Sequence, residues 1–267
     1  MDRQLIIICL LTFGINLIGT LAYAARIAGV RTRRIAMSFA LFNILVLVSR
    51  TSNSFLGPFL AKRIETRIVG GGGDALYTDF QMVLGSATLA VALGIVLVPT
   101  AQRLFAKAIG YFQEHRSTAK MILKTATPTG LKAVRDAMHP PSLAHLRGLR
   151  KPHGVGWGVL LANCLAQALI TVGVVASLYA GYLNPEFRVT ASQLSAVING
   201  FATILLFALI DPQLSVMTDD AAEGRVSEAL FRRTIVWISF SRLAGTMLAQ
   251  VLLLPSAQVV AWIANYV

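Results

Sequence analysis

The stretch LFNILVLVSRTSNSFLGPFL, Leu41 to Leu60, decides how this chain is read. Most of its residues suit the inside of a lipid bilayer. Yet Arg50 stands in its middle, flanked by Ser49, Thr51, Ser52 and Asn53. An arginine at the centre of a bilayer costs about 2.5–3.5 kcal/mol on insertion scales. A segment that keeps one needs a polar interior, or a partner, on the face that carries it.

The rest of the chain agrees with a membrane setting. Of 267 residues, 55% are hydrophobic and only 13% charged, about half the charged share of a typical soluble domain. Mean hydropathy is +0.66. A span needs about 20 mostly apolar residues to cross a hydrocarbon core of roughly 30 Å. Six segments qualify: Leu5 to Tyr23, Ile35 to Leu60, Met82 to Val98, Val155 to Tyr182, Leu194 to Ile210 and Ile235 to Leu254. Backbone groups in lipid must be satisfied within the segment, so these are expected to be helices. The expected fold is all-α: a polytopic integral membrane protein with about six transmembrane helices, forming a single transmembrane domain over residues 1–267.

Ala22-Tyr23-Ala24 resembles a signal-peptide cleavage site, so the first segment has a rival reading. The uncharged balance of Met1-Asp2-Arg3-Gln4 and the arginines that follow, Arg26, Arg31, Arg33 and Arg34, favour a retained span. Cys9 and Cys164 both fall in spans and read as buried small residues, not as a disulfide or zinc framework.

Net charge is +12. With the N-terminus outside, alternating loops place 17 of the 24 Lys and Arg on the cytoplasmic side and 5 outside, leaving Arg50 and Arg242 within spans. That bias predicts an N-out, C-out arrangement. Basic loops facing an anionic leaflet account for the charge, and no nucleic-acid partner is needed. The basic stretch 100–154 is expected to be a cytoplasmic loop. Its start reads as an amphipathic helix of the kind that lies in a membrane interface, with Leu104, Phe105, Ala108, Ile109 and Phe112 opposite Arg103, Lys107 and Glu114. Thr125 to Gly130 and His139-Pro140-Pro141 are expected breaks. Three spans starting outside and three starting inside match a 3+3 inverted arrangement, a parity shared by any six-span protein so divided. Gly70 to Gly73 lack a P-loop ending and read as a flexible link.

No enzyme is indicated. A His-Glu-x-x-His helix and a Gly-x-Ser-x-Gly elbow are both missing, and His115, His139, His145 and His153 all lie in the long loop. No cofactor and no metal site is expected. The acids of IDPQLSVMTDDAAEGR could hold a cation or pair with Arg225, Arg232 and Arg233, and near-balance of charge favours pairing.

What the spans do carry is polar residues at helical spacing. Thr12, Asn16 and Thr20 step along the first, Asn43, Arg50 and Ser54 along the second, and Asn163, Gln167 and Thr171 along the fourth. Ser192, Ser195, Asn199 and Thr203 line the fifth, and Ser239, Arg242 and Thr246 the sixth, with Gly245 and Ala249 permitting close helix contact. Such groups either glue helices together or line a shared polar interior. Measured from Ile35 and Ile235, Arg50 and Arg242 are about 22 Å and about 10 Å from the cytoplasmic edge, so different depths are expected. The acids that could pair with them are Asp79 and Asp211. Guanidinium is otherwise a natural clamp for phosphate. The candidate substrate-binding residues are therefore Arg50, Arg242, Asn43, Asn53, Asn16, Asn199 and Asp211. An interior of this kind suits passage of an anionic amphiphile. A carrier of another anionic lipid or solute and a non-transporting scaffold for envelope enzymes are the alternatives.

INLIGTLAYAARIAGVRTRRIAMSFALFNILVLVSRTSN, Ile15 to Asn53, resembles the N-terminal part of the bacterial Amj family of lipid II flippases, an alternative to the MurJ-type flippase. LIDPQLSVMTDDAAEGR, Leu209 to Arg225, resembles that family's later signature. The resemblance implies a bacterial cytoplasmic-membrane protein that moves lipid II, a disaccharide-pentapeptide on undecaprenyl diphosphate, from the inner to the outer leaflet for cell wall synthesis. Lipid II and membrane lipids would be its partners.

Overall fold

The structure is a computed structural model, and it describes residues 2–115, 135–136 and 155–267. The expected breaks at 125–130 and 139–141, and His139, His145 and His153, lie outside the described residues. Helices α1 (Arg3–Thr32), α2 (Ile35–Val69), α3 (Leu76–His115) and α4 (Trp157–Leu183) come first. The fifth span is α5 (Arg188–Ile204), a π-helical turn (Leu205–Ile210) and α6 (Asp211–Ala222), and α7 (Glu228–Ile263) ends the series. Six of these units are long and apolar enough to cross a membrane, as the sequence predicts.

Local chemistry sets the boundaries. Asp2 caps α1 by accepting from the Leu5 amide at 3.0 Å, and Ser227 caps α7 by accepting from Leu230 at 3.2 Å. At the other end of α1, Arg33 turns into the left-handed region (φ 55°), and the amides of Arg33 and Arg34 return to the carbonyls of Val30 and Gly29. Pro212 explains the π turn. It has no amide hydrogen for the carbonyl four residues back, and its ring crowds that carbonyl, so the ladder shifts register there. The fifth span consequently runs on to Ala222 and does not end at Asp211.

The helices outrun the apolar segments. α3 continues without a break through the stretch expected to open the cytoplasmic loop. The amphipathic residues do form a helix, but as the end of α3 and not as a separate one. Their apolar face is partly engaged by protein: Ile109 is buried, and Phe105 packs on a core cluster. Arg26, counted from sequence among the loop arginines, lies inside α1 and is 2% exposed. Ala22, Tyr23 and Ala24 are buried in the same helix.

Two apolar cores occupy opposite ends of the bundle. One gathers Leu5 and Ile8 of α1, Leu60 of α2, Phe80 of α3, Tyr179 of α4 and Leu253 of α7. The other gathers Ile27, Phe42, Val98, Leu160, Ile210, Leu214 and Phe231. Close approach of α7 to α4 depends on Gly245, where a methyl group would stand 2.5 Å from the Cys164 carbonyl oxygen. Lipid-facing residues ring the outside, among them Leu47, Phe55, Leu89, Leu161, Val197 and Phe201, all exposed.

Candidate functional site

Between the two cores lies a cavity of about 310 Å³. Six helical units reach it, α3 through the apolar side chains of Val83 and Leu84. α1 contributes Thr12, Asn16, Gly19 and Tyr23; α2 contributes Ser49, Arg50, Asn53 and Ser54; α4 contributes Gln167 and Thr171. Asn199, Thr203, Phe207 and Asp211 come from the fifth span, and Arg242 from α7. Six of the seven candidate residues therefore meet at one cavity. The seventh, Asn43, does not: it is exposed on α2. Asn43 and Arg50 are seven residues apart and share a helix face, but about 10 Å separates them along the axis.

The two arginines, expected at different depths, line the same cavity. α7 begins at Glu228, seven residues before the apolar segment does, because Arg232 and Arg233 lie within the helix. Measured from Ile35 and Glu228, Arg50 and Arg242 stand about 22 Å and about 21 Å along their helices.

Neither arginine has a carboxylate partner among the described residues. Arg50 Nη1 donates to Thr203 Oγ1 at 3.1 Å, and its guanidinium lies 5.1 Å over the Phe207 ring. Arg242 is 9% exposed, and Nη2 donates at 3.4 Å to Asn16 Oδ1. Among the described residues its Nε has no hydrogen-bond partner, and neither do Thr12 Oγ1, Gln167 Nε2 and Asn199 Oδ1, all of which belong to cavity-lining residues. Gly19 makes room for this arginine, since a methyl group there would be 2.8 Å from Arg242 Nη2. The cavity thus holds two cationic forks and several unspent hydrogen-bonding groups. The guanidinium N–H groups, the Gln167 Nε2 amide and the Thr12 hydroxyl are donors of the kind a phosphate or diphosphate requires, whereas Asn199 Oδ1 can only accept.

The acids proposed as partners from sequence are engaged elsewhere. Asp211 pairs with Arg26 at 3.1 Å, and Arg26 also donates to Ser215 at 3.4 Å and packs against the rings of Phe39 and Phe42. Asp79 receives Arg63 at 2.8 Å and Arg67 at 3.1 Å, and Arg63 also holds Asp2. These ion pairs tie α1 to α6 at one end, and α1, α2 and α3 together at the other. Sequence reasoning missed Arg26 because it sits in an arginine-rich run. It missed Tyr23 although that residue is seven after Asn16, on the same face.

Other polar residues do prove to be glue. Asn163 Nδ2 donates to the Ile238 carbonyl and to Ser241, joining α4 to α7. Ser49 donates to the Ile15 carbonyl at 3.0 Å, joining α2 to α1. Ser239 and Thr246 bond back to their own helix. The acids of the last loop pair with Arg225, which meets Asp220 at 2.6 Å and also Glu223, while Arg232 meets Glu228. Among the described residues no group of His, Cys, Asp and Glu could hold a metal.

The cavity has one open flank. α2 packs on α1 and also meets α3, α4 and α6, but no Cα of α2 comes within 8 Å of any Cα of α5 or of the π turn. Across that gap Arg50 donates a hydrogen bond to Thr203 and lies over the Phe207 ring.

Comparison with known proteins gives two matches. The family described as "Amj: Alternate to MurJ" matches residues 11–264. The chain is 35% identical to the lipid II flippase Amj of Bacillus subtilis (strain 168) over 268 residues, covering 99% of this chain and 97% of that protein. No solved structure matches.

Proposed function

The chain belongs to the Amj family, and from that premise we propose that it moves lipid II from the inner to the outer leaflet of the bacterial cytoplasmic membrane, with Arg50 and Arg242 binding the diphosphate. It is a multi-pass membrane protein. Its relative is named as a flippase, so the activity is read as transport and not catalysis.

The observation that carries the residue assignment is a pair of cavity-lining arginines that, among the described residues, make no ion pair, the lining Asp211 being paired with Arg26. An interior cation is unfavourable until it is paired. Two guanidinium forks lining one cavity complement the adjoining phosphoryl groups of a diphosphate. Asn16, Asn53 and Asn199 supply amides for the remaining oxygens or for the first sugar. Asp211 helps to shape the cavity while neutralising Arg26, so its part is indirect. Asn43, exposed on α2, drops out of the proposed set. The cavity is at the small end of ligand pockets, which run from about 300 to 1,000 Å³. It therefore holds the charged linker and not the whole disaccharide-pentapeptide, and the rest of the head group needs the bundle to open. In the N-out arrangement favoured by the charge bias, the Arg26–Asp211 pair closes the cytoplasmic side and the Arg63–Asp79 cluster closes the outer side.

The test is expression in a bacterium whose own lipid II flippases can be switched off, followed by measurement of lipid II at the outer surface. Restored growth with surface lipid II is the expected result. Well-inserted protein without surface lipid II would turn the assignment toward another anionic lipid.

A further inference from the structure

Lipid II is an amphiphile, and a head group in the cavity is covalently tied to a long apolar chain. Somewhere the cavity must open sideways into lipid, because an isoprenoid chain gains nothing from a polar interior. The structure offers one flank that fits. On one side of it stand Val46, Arg50 and Ser54 of α2, and on the other Thr203, Leu206 and Phe207 of the fifth span, all lining the cavity. The backbones on the two sides do not approach within 8 Å. Ser54 and Phe207 are themselves exposed, and so are Phe201 and Ile204 next to Phe207. α2 and the fifth span are also the least enclosed of the six, each with 17% of its apolar window buried, against 28–56% for the others.

We propose that the slot between α2 and the fifth span is a lateral portal that seats the isoprenoid chain next to the diphosphate, and that Arg50 is its latch. This rests on the reading of the cavity as a diphosphate site. Continuity between slot and cavity carries the choice of occupant. The same guanidinium that would bind phosphate now bridges the slot through Thr203 and Phe207. A diphosphate arriving from lipid offers Arg50 an anionic, bidentate acceptor in place of a neutral hydroxyl, which adds ionic attraction and a second hydrogen bond. Ligand binding therefore undoes the bridge, and the portal opens to the molecule that fits behind it. The π turn lies on this edge, where the shifted ladder leaves the fifth span easier to deform than a regular helix.

The test uses full-length protein in proteoliposomes containing lipid II, with a photoreactive phenylalanine analogue placed at Val46 or Phe207. Control positions are the lipid-facing Leu89 and Leu161, on α3 and α4. Transport is followed in the same vesicles. The expected result is severalfold more cross-linking to the isoprenoid lipid from the two slot positions than from the controls. Equal labelling at all four positions, or labelling only from the controls, in protein that still transports would overturn the portal and leave the transport function standing. Cross-linking of slot positions to a second copy of the chain would overturn it too, by showing the slot to be an oligomer interface. A second variant gives an independent check. In a background with Cys9 and Cys164 replaced by serine, the pair Val46→Cys and Phe207→Cys is joined with a cleavable bifunctional thiol reagent. Transport should stop on joining and return on cleavage; full transport with the two sides joined would contradict the proposal.

Discussion

Arg63 and Arg242 are both buried, at 3% and 9% exposed, but among the described residues only Arg63 meets a carboxylate. Arg63 sits at one end of the bundle with Asp79 and Asp2 around it, and Arg26 at the other end is matched by Asp211. In the cavity between, Arg242 has an asparagine, and Arg50 has a threonine and an aromatic ring. The difference separates two uses of one side chain. At the ends, arginines fasten helices. In the proposed reading, those in the middle are kept at a cost to stability, as binding sites commonly are.

The largest expected effect breaks the comparison at the cavity. Arg50→Ala and Arg242→Met should each reduce transport to background while the protein stays folded and inserted. Neither removes an ion pair, and each relieves an unpaired interior charge, so thermal stability should hold or rise. Loss of folded protein in both would show that these arginines are structural after all. The reverse pattern is expected at the end cluster. Asp79→Ala takes from Arg63 its buried carboxylate and leaves it only the half-exposed Asp2, and breaking a buried pair costs about 3–5 kcal/mol. The midpoint of thermal unfolding in detergent should fall sharply, taking transport with it.

The sequence shows some of this contrast and hides the rest. Six spans are legible because apolar length is a local property. Their full extents are not, since α3 and α7 continue as helix through charged residues that hydropathy assigns to loops. Asn16, Asn199, Arg50 and Arg242 could be found because polar residues at helical spacing mark an inward face. Which acid answers which arginine could not, because Arg26 and Asp211 are 185 residues apart and no local pattern pairs them. Asn43 shows the limit of face reasoning. It shares a face with Arg50, but a wheel carries no depth and does not show where α2 loses its neighbours.

Two smaller effects sharpen the contrast. Gly19→Ala would put a methyl group against the Arg242 guanidinium, and the expected result is a severalfold rise in the lipid concentration for half-maximal transport. If Arg242 binds nothing, that concentration should not change. Thr203→Val removes one neutral acceptor from Arg50 and changes little else. Losing such a bond to a charged group is worth about 1.5–3 kcal/mol at most. Because the bridge gives way when a diphosphate binds, the expected outcome is a modest change in transport rate with the affinity for lipid nearly kept, read from initial rates in proteoliposomes.

The most direct measurement is binding of a short polyprenyl diphosphate, and of the matching uncharged polyprenol, to purified wild-type protein and to the Arg50→Ala/Arg242→Met double variant. Wild type should bind the diphosphate and discriminate strongly against the alcohol, and the folded double variant should lose that preference. A double variant that still selects the diphosphate as well as wild type does would contradict the claim that the two unpaired arginines hold the cargo.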